Sequence, residues 1–139
     1  MSILAVDPGS KRIGLALSDP SGSIANPLAV IEHVSRPLDA ATIAQIAREH
    51  KAKRIVVGQS LDEQGQPTLE GRRATRLAAA LRSQIDLPVE LWDESFSTQE
   101  ARAAYRAMGV SQRRRRGHMD ELAATVILQT YLDAHRNEP

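Results

Sequence analysis

Apolar residues fall in short runs over the first third of the chain and at helical spacing over most of the remainder. Ile3-Leu4-Ala5-Val6 is a run of strand length, closed by Asp7 and by the turn composition of Pro8-Gly9-Ser10-Lys11. Ile13-Gly14-Leu15-Ala16-Leu17 predicts a second strand, near enough to pair with the first as a hairpin. After a second turn, Asp19-Pro20-Ser21-Gly22-Ser23, the run Leu28-Ala29-Val30-Ile31 predicts a third. The period then changes. Ile43, Ile46, Ala47 and His50 predict a helix within residues 38–51. Arg54-Ile55-Val56-Val57-Gly58 is short and β-branched, as expected of a central strand. Leu69, Ala74, Leu77, Leu81 and Ile85 predict a second helix stopped by Leu87-Pro88, and residues 89–93 a fifth strand. Ser97-Thr98-Gln99-Glu100 has capping-box spacing, with Gly109 as the matching helix stop. A last helix opens near His118, its apolar stripe being Met119, Leu122, Val126 and Tyr131, with Ala123 and Ile127 beside it.

The predicted order is βββ-α-β-α-β-α-α within a single domain, residues 1–139. Three antiparallel strands followed by parallel crossovers predict an α/β fold: a mixed five-stranded sheet with helices on its faces. Ligands of such sheets favour the carboxyl ends of the parallel strands. Asp7 and Glu94 would lie at such ends if the first and fifth strands run parallel. Asp120 stands at the mouth of the last helix, just ahead of the small pair Ala123-Ala124, which would let that helix approach the sheet closely.

A hydrophobic fraction of 42% and a charged fraction of 25% are those of an ordinary globular domain, and a net charge of +1 points to no particular partner. The distribution of charge does. Residues 101–118 hold Arg102, Arg106 and the run Arg113, Arg114, Arg115, Arg116 with no acid among them, a local footprint for a polyanion such as nucleic acid. The absence of cysteine excludes disulfides, zinc–thiolate sites and thiol nucleophiles. Aromatics at 3% argue against a binder that stacks bases on aromatic platforms. No signal peptide or membrane span is expected, so the cytoplasm is the expected location.

Carboxylates converging at one end of a sheet can cage hard divalent cations, which take oxygen ligands. Two such ions about 4 Å apart can activate a water and stabilise the leaving oxygen of a phosphodiester. Each acid also has a plainer reading. Asp7-Pro8-Gly9 can be a tight turn whose carboxylate bonds its own backbone. Asp93 and Glu94 can both be helix-entry acids, and the residues alone leave open which one faces a metal. Asp120 can be an N-cap. Asp-x-Gly before a basic hairpin also marks the phosphate loop of actin-like ATPases, but these need two such domains around a cleft, more than 139 residues provide. Lys11 and Arg12 could clamp phosphate, and a cationic loop at residues 113–116 would hang over Asp120. Of the four histidines, His118 is the one near the proposed acids, and none has metal-ligand spacing.

Four segments, in order and spacing, resemble the YqgF/RuvX family: Val6-Asp7-Pro8-Gly9-Ser10-Lys11-Arg12-Ile13-Gly14, Ile55-Val56-Val57-Gly58, Asp93-Glu94-Ser95-Phe96-Ser97-Thr98, and Asp120-Glu121-Leu122-Ala123-Ala124 leading into Ile127-Leu128-Gln129. The resemblance implies an RNase H-like fold related to the junction resolvase RuvC. It implies a nuclease with Asp7, Glu94 and Asp120 as catalytic metal-binding acids and Mg²⁺ or Mn²⁺, two ions, as cofactor. It also implies nucleic acid as partner: a precursor of 16S ribosomal RNA matured at its 5′ end, with a ribosomal partner, or branched DNA cut by a homodimer. A regulator that binds nucleic acid without cutting is the alternative of another class. Two departures fall on the substrate-facing loops. Gln59-Ser60 and Gln64-Gly65 stand where the family has Leu-Pro and Asp-Gly, and Ser95 stands where it has arginine. The expectation is that Arg113 to Arg116 replace the missing charge.

Overall fold

The structure is a computed structural model describing residues 2–96 and 119–136; the side chains of Phe96, Met119, Asp120 and Glu121 lie outside that description. A five-stranded sheet of order β3-β2-β1-β4-β5 is built from β1 (Ser2–Pro8), β2 (Arg12–Ser18), β3 (Ala25–Glu32), β4 (Ala52–Gln59) and β5 (Val89–Asp93). β1 and β2 form the expected antiparallel hairpin, and β3 extends it antiparallel to β2. β4 runs parallel to both β1 and β5, so β1 and β5 are parallel with β4 between them. Crossovers run through α1 (Arg36–Glu49) and α2 (Leu69–Arg82). α3 (Met119–Ala134) follows β5 and a short 3-10 turn, Glu94–Phe96. The predicted helix from Ser97 to Gly109 lies outside the described residues, as do His118 and the arginine run.

Strand alternation divides the core in two. Leu4 and Val6 of β1, Ile13 and Leu15 of β2, and Ile55 and Val57 of β4 face α1 and α2, meeting Ile43, Leu77 and Leu81. Ala5, Ala16 and Val56 face the other way, against Ala124, Leu128, Tyr131 and Leu132 of α3. Ala5 is paired with Ala16 on one side and with Val56 on the other, so the floor beneath α3 is shallow. Gly58 deepens the approach: a Cβ there would lie 2.7 Å from Ile127 Cδ1. The sheet, as well as the predicted alanines of the helix, lets α3 come close.

Several element ends differ from the sequence expectation. β3 starts at Ala25 rather than Leu28, because an irregularity in the β2 register opposite Leu15 and Ala16 accommodates Pro27 on an edge strand. α1 starts at Arg36, with Ser35 as N-cap accepting the Leu38 N–H. α2 ends at Arg82, whose guanidinium turns to the Val89 carbonyl at 2.6 and 3.1 Å, although Ile85 and Leu87 still pack on the core beyond it. In the turn between β2 and β3, Asp19 accepts from the Ser21 hydroxyl and from the Ile24 and Ser23 N–H groups, holding its pKa down at about 2. At the far end of the molecule Tyr131 OH lies 2.7 Å from Arg54 and 3.0 Å from Glu90, and burial above all raises the phenol pKa. No helix among the described residues is long and apolar enough to cross a membrane.

Candidate active site

The alternation that sends Ala5 toward α3 sends Asp7, two residues on, to the same side. On β4, Val56 faces α3 and Gly58 follows it. On β5, Trp92 packs on the α3 side with Nε1 donating to Thr130 Oγ1 at 3.1 Å, and Glu94 follows in the same parity. Asp7, Gly58 and Glu94 therefore mark the carboxyl ends of three adjacent parallel strands. They line one cavity of about 420 Å³. Lys11 and Arg12 from the β1–β2 turn, Glu70 and Arg73 from α2, and Ala123 from α3 complete its walls.

The turn that presents Lys11 and Arg12 depends on Gly9. A Cβ there would lie 2.2 Å from the Arg12 carbonyl oxygen. Gly9 is not among the positive-φ residues, so close approach, and not left-handed backbone, is what the position demands.

The adjacent acids separate in space. Asp93 Oδ1 accepts the Ser95 N–H at 2.9 Å, closing the turn after β5, while Glu94 lines the cavity with Asp7. Asp120 lies one helical turn before Ala123, which is itself in the cavity wall; its backbone is in the first turn of α3 and its side chain lies outside the described set. Arg113, Arg114, Arg115 and Arg116 lie outside it altogether. Among the described residues no group of three or more His, Cys, Asp and Glu stands in a metal-holding arrangement, a set that includes Asp7 and Glu94 without the Asp120 carboxylate. The donors that line the cavity, the carboxylates of Asp7, Glu94 and Glu70, are hard oxygens, the chemistry that Mg²⁺ and Mn²⁺ take.

Sequence reading missed Glu70, Arg73 and the use of Gln59-Ser60. The Gln59 amide donates to the Gly71 carbonyl at 3.2 Å and to Thr75 Oγ1 at 2.6 Å, while the Ser60 carbonyl accepts the Thr68 N–H at 3.1 Å. The Gln59-Ser60 departure thus ties the end of β4 to the first turns of α2 and fixes where Glu70 and Arg73 stand. Gln64-Gly65 forms a turn on the Asp62 carboxylate, with Gly65 at φ +79°. The available signal was on α2: Arg73 and Arg76 are one turn apart and border the apolar stripe, Arg73 standing one turn from both Leu69 and Leu77.

The family described as RuvX, Holliday junction resolvase, matches residues 1–134. A protein of Syntrophus aciditrophicus (strain SB) named "Putative pre-16S rRNA nuclease" is 39% identical over 138 residues, spanning 99% of this chain and 92% of its own length. One of the same name from Anaeromyxobacter sp. (strain Fw109-5) is 43% identical over 133 residues, 96% of this chain and 97% of its own. Among solved structures, T. thermophilus RuvC in complex with Holliday junction substrate superposes with a TM-score of 0.71 at 14% identity, covering 99% of this chain and 97% of that one. The fowlpox virus resolvase complex with Holliday junction DNA gives 0.62 at 10% identity, covering 96% and 98%. At these identities the two structures share the RNase H-like fold of this chain.

Proposed function

Because the chain belongs to the RuvX family and is a nuclease, a hydrolase of nucleic acid, we propose that it cuts a ribosomal RNA precursor, maturing the 5′ end of 16S RNA in the cytoplasm at the cavity of Asp7 and Glu94. The observation that carries the site is the convergence of Asp7 and Glu94, from two parallel strand ends, on one polar cavity whose wall α3 also enters. The names of the relatives, which span nearly their whole length and that of this chain, support the RNA substrate.

Asp7 and Glu94, with Asp120 from the first turn of α3, would hold Mg²⁺ or Mn²⁺, as one ion or two. Such a cation, when bound, lowers the pKa of a coordinated water and takes up charge on the leaving oxygen. Lys11 of the β1–β2 turn and Arg73 of α2, which line the same cavity, bind the non-bridging phosphate oxygens and orient the scissile bond. Asp7 is held on the extended end of β1, and Glu94 in the 3-10 turn directly after β5, so both acids stand on regular backbone beside the cavity.

Cleavage of labelled single-stranded RNA, single-stranded DNA and a four-way junction, in Mn²⁺ or EDTA, tests this with wild type and Asp7→Asn. The expected result is Mn²⁺-dependent cutting of RNA, abolished in the variant. Junction cutting in preference to RNA would select the second reading, resolution of branched DNA, which the family description favours. That activity must cut two strands symmetrically and so requires a homodimer, whereas RNA processing allows a monomer. Tight binding by both proteins without cutting by either would leave a non-catalytic binder.

A further inference from the structure

Beside the acid cavity lies a second, of about 410 Å³, between the β1–β2 turn and the amino-terminal halves of α1 and α2. The two are contiguous, since Pro8, Gly9 and Arg73 line both. Arg36 of α1 and Arg76 of α2 join Arg73 in the second, so three arginines from two helices line it. None of the three makes a hydrogen bond or ion pair with its side chain among the described residues. The acid in the lining, Asp39, is 4% exposed and committed elsewhere: its carboxylate meets His33 Nδ1 at 2.5 Å and the Val34 N–H at 3.0 Å. The rest of the lining joins polar His33 and Ser35 to an apolar part made by Ile13, Pro37 and Leu77, with Leu69 left 81% exposed.

We infer that Arg36, Arg73 and Arg76 form a second phosphate site, which holds the backbone of the same nucleic-acid strand beyond the bond presented to Asp7 and Glu94. The inference rests on the nuclease reading of the acid cavity and adds where the strand runs. Planar guanidiniums suit the paired oxygens of a phosphodiester. The apolar part of the lining, Ile13, Pro37, Leu69 and Leu77, suits the sugar and base attached to it, which a free inorganic anion lacks. Arg73 stands at the junction, touching both cavities, so the strand passes from one to the other over the Pro8-Gly9 turn. The cationic clamp is thereby placed on α1 and α2, in addition to the expected run at residues 113–116.

The test is binding of fluorescent RNA oligonucleotides of increasing length, across a salt series in EDTA, by wild type, by the double variant Arg36→Gln/Arg76→Gln, and by Arg72→Gln as control. Arg72 is exposed on the same helix and lines neither cavity. Affinity of the double variant for long oligonucleotides should fall about tenfold, as loss of charge-assisted contacts implies. Its log–log salt slope should flatten by about 0.7 for each phosphate no longer neutralised. The shortest oligonucleotides, filling the acid cavity alone, should bind both proteins alike, and Arg72→Gln should match wild type throughout. Equal slopes and affinities for the double variant and wild type at every length would overturn the inference. So would a defect confined to inorganic phosphate, assayed by competition, because that would make the cavity a free-anion site. Cleavage is read separately in Mn²⁺. Arginine-dependent binding without cutting refutes the nuclease site alone, and cutting with arginine-independent binding refutes the strand path alone.

Discussion

At Asp93 the carboxylate accepts the Ser95 N–H, whereas Glu94 faces the cavity with Asp7, so two acids joined by one peptide bond should respond differently to loss of charge. Glu94→Gln is expected to lower metal-dependent cleavage by about 100-fold or more, the scale on which metal sites respond to lost ligands. Asp93→Asn should retain near-wild-type cleavage, because the amide oxygen still accepts the same N–H. Rates measured at saturating Mn²⁺ separate the two, and equal losses would show that the turn, and not Glu94, is what matters. From residue types alone the pair was ambiguous. Strand alternation already placed Glu94 with Trp92, but the backbone bond of Asp93 depends on a turn geometry that no pattern in Asp93-Glu94-Ser95 prescribes.

The elements were legible wherever one period dominated. The β1–β2 hairpin, the buried run of β4 and the stripe of α2 follow from spacing of 2.0 or 3.6 residues. Their ends were less so: α2 ends at Arg82, which bonds the Val89 carbonyl, and only single backbone bonds such as Ile85 N–H to the Leu81 carbonyl follow, although the apolar pattern continues. What brings α3 to the sheet was half visible. Ala123 and Ala124 could be read from the helix, but the matching floor of Ala5, Ala16 and Gly58 required knowing which strands are neighbours. That fit makes a prediction at the level of the helix. Ile127 is fully buried above Gly58, so Ile127→Ala should destabilise the fold by about 2–5 kcal/mol. Gly58→Ala should cost about 1 kcal/mol, since the terminal methyl of Ile127 must move. Combined, the two should cost less than their sum, because the new Cβ enters the space the isoleucine leaves. Urea denaturation of the four proteins measures this, and strict additivity would mean that the two positions do not pack on one another in solution.

Across the whole molecule, the acid cavity exists only through the parallel pairing of β1 with β4 and β4 with β5, which joins segments far apart in the chain. Several carboxylates held in one cavity gain from a cation that the unfolded chain binds weakly. Mn²⁺ at about 100 times its dissociation constant should therefore stabilise the fold by about 2.7 kcal/mol. A thermal melt should rise accordingly, return in EDTA, and stay flat for Asp7→Asn; a wild-type melt indifferent to Mn²⁺ would count against the acids as its ligands. The same topology has a consequence for biogenesis. Translation delivers Asp7 with the first strand, Glu94 after the fifth and Asp120 only with the last helix, while Ala5, Ala16 and Val56 stay uncovered until that helix arrives. Pairing of distant segments is slow compared with local hairpin formation. A nascent chain thus carries Asp7 and then Glu70 of the cavity before the fifth strand brings Glu94, and the proposed ligand Asp120 follows with the last helix. An enzyme whose proposed substrate belongs to the ribosome would, by this order of assembly, be made beside ribosomal RNA without being able to cut it until its last helix had folded.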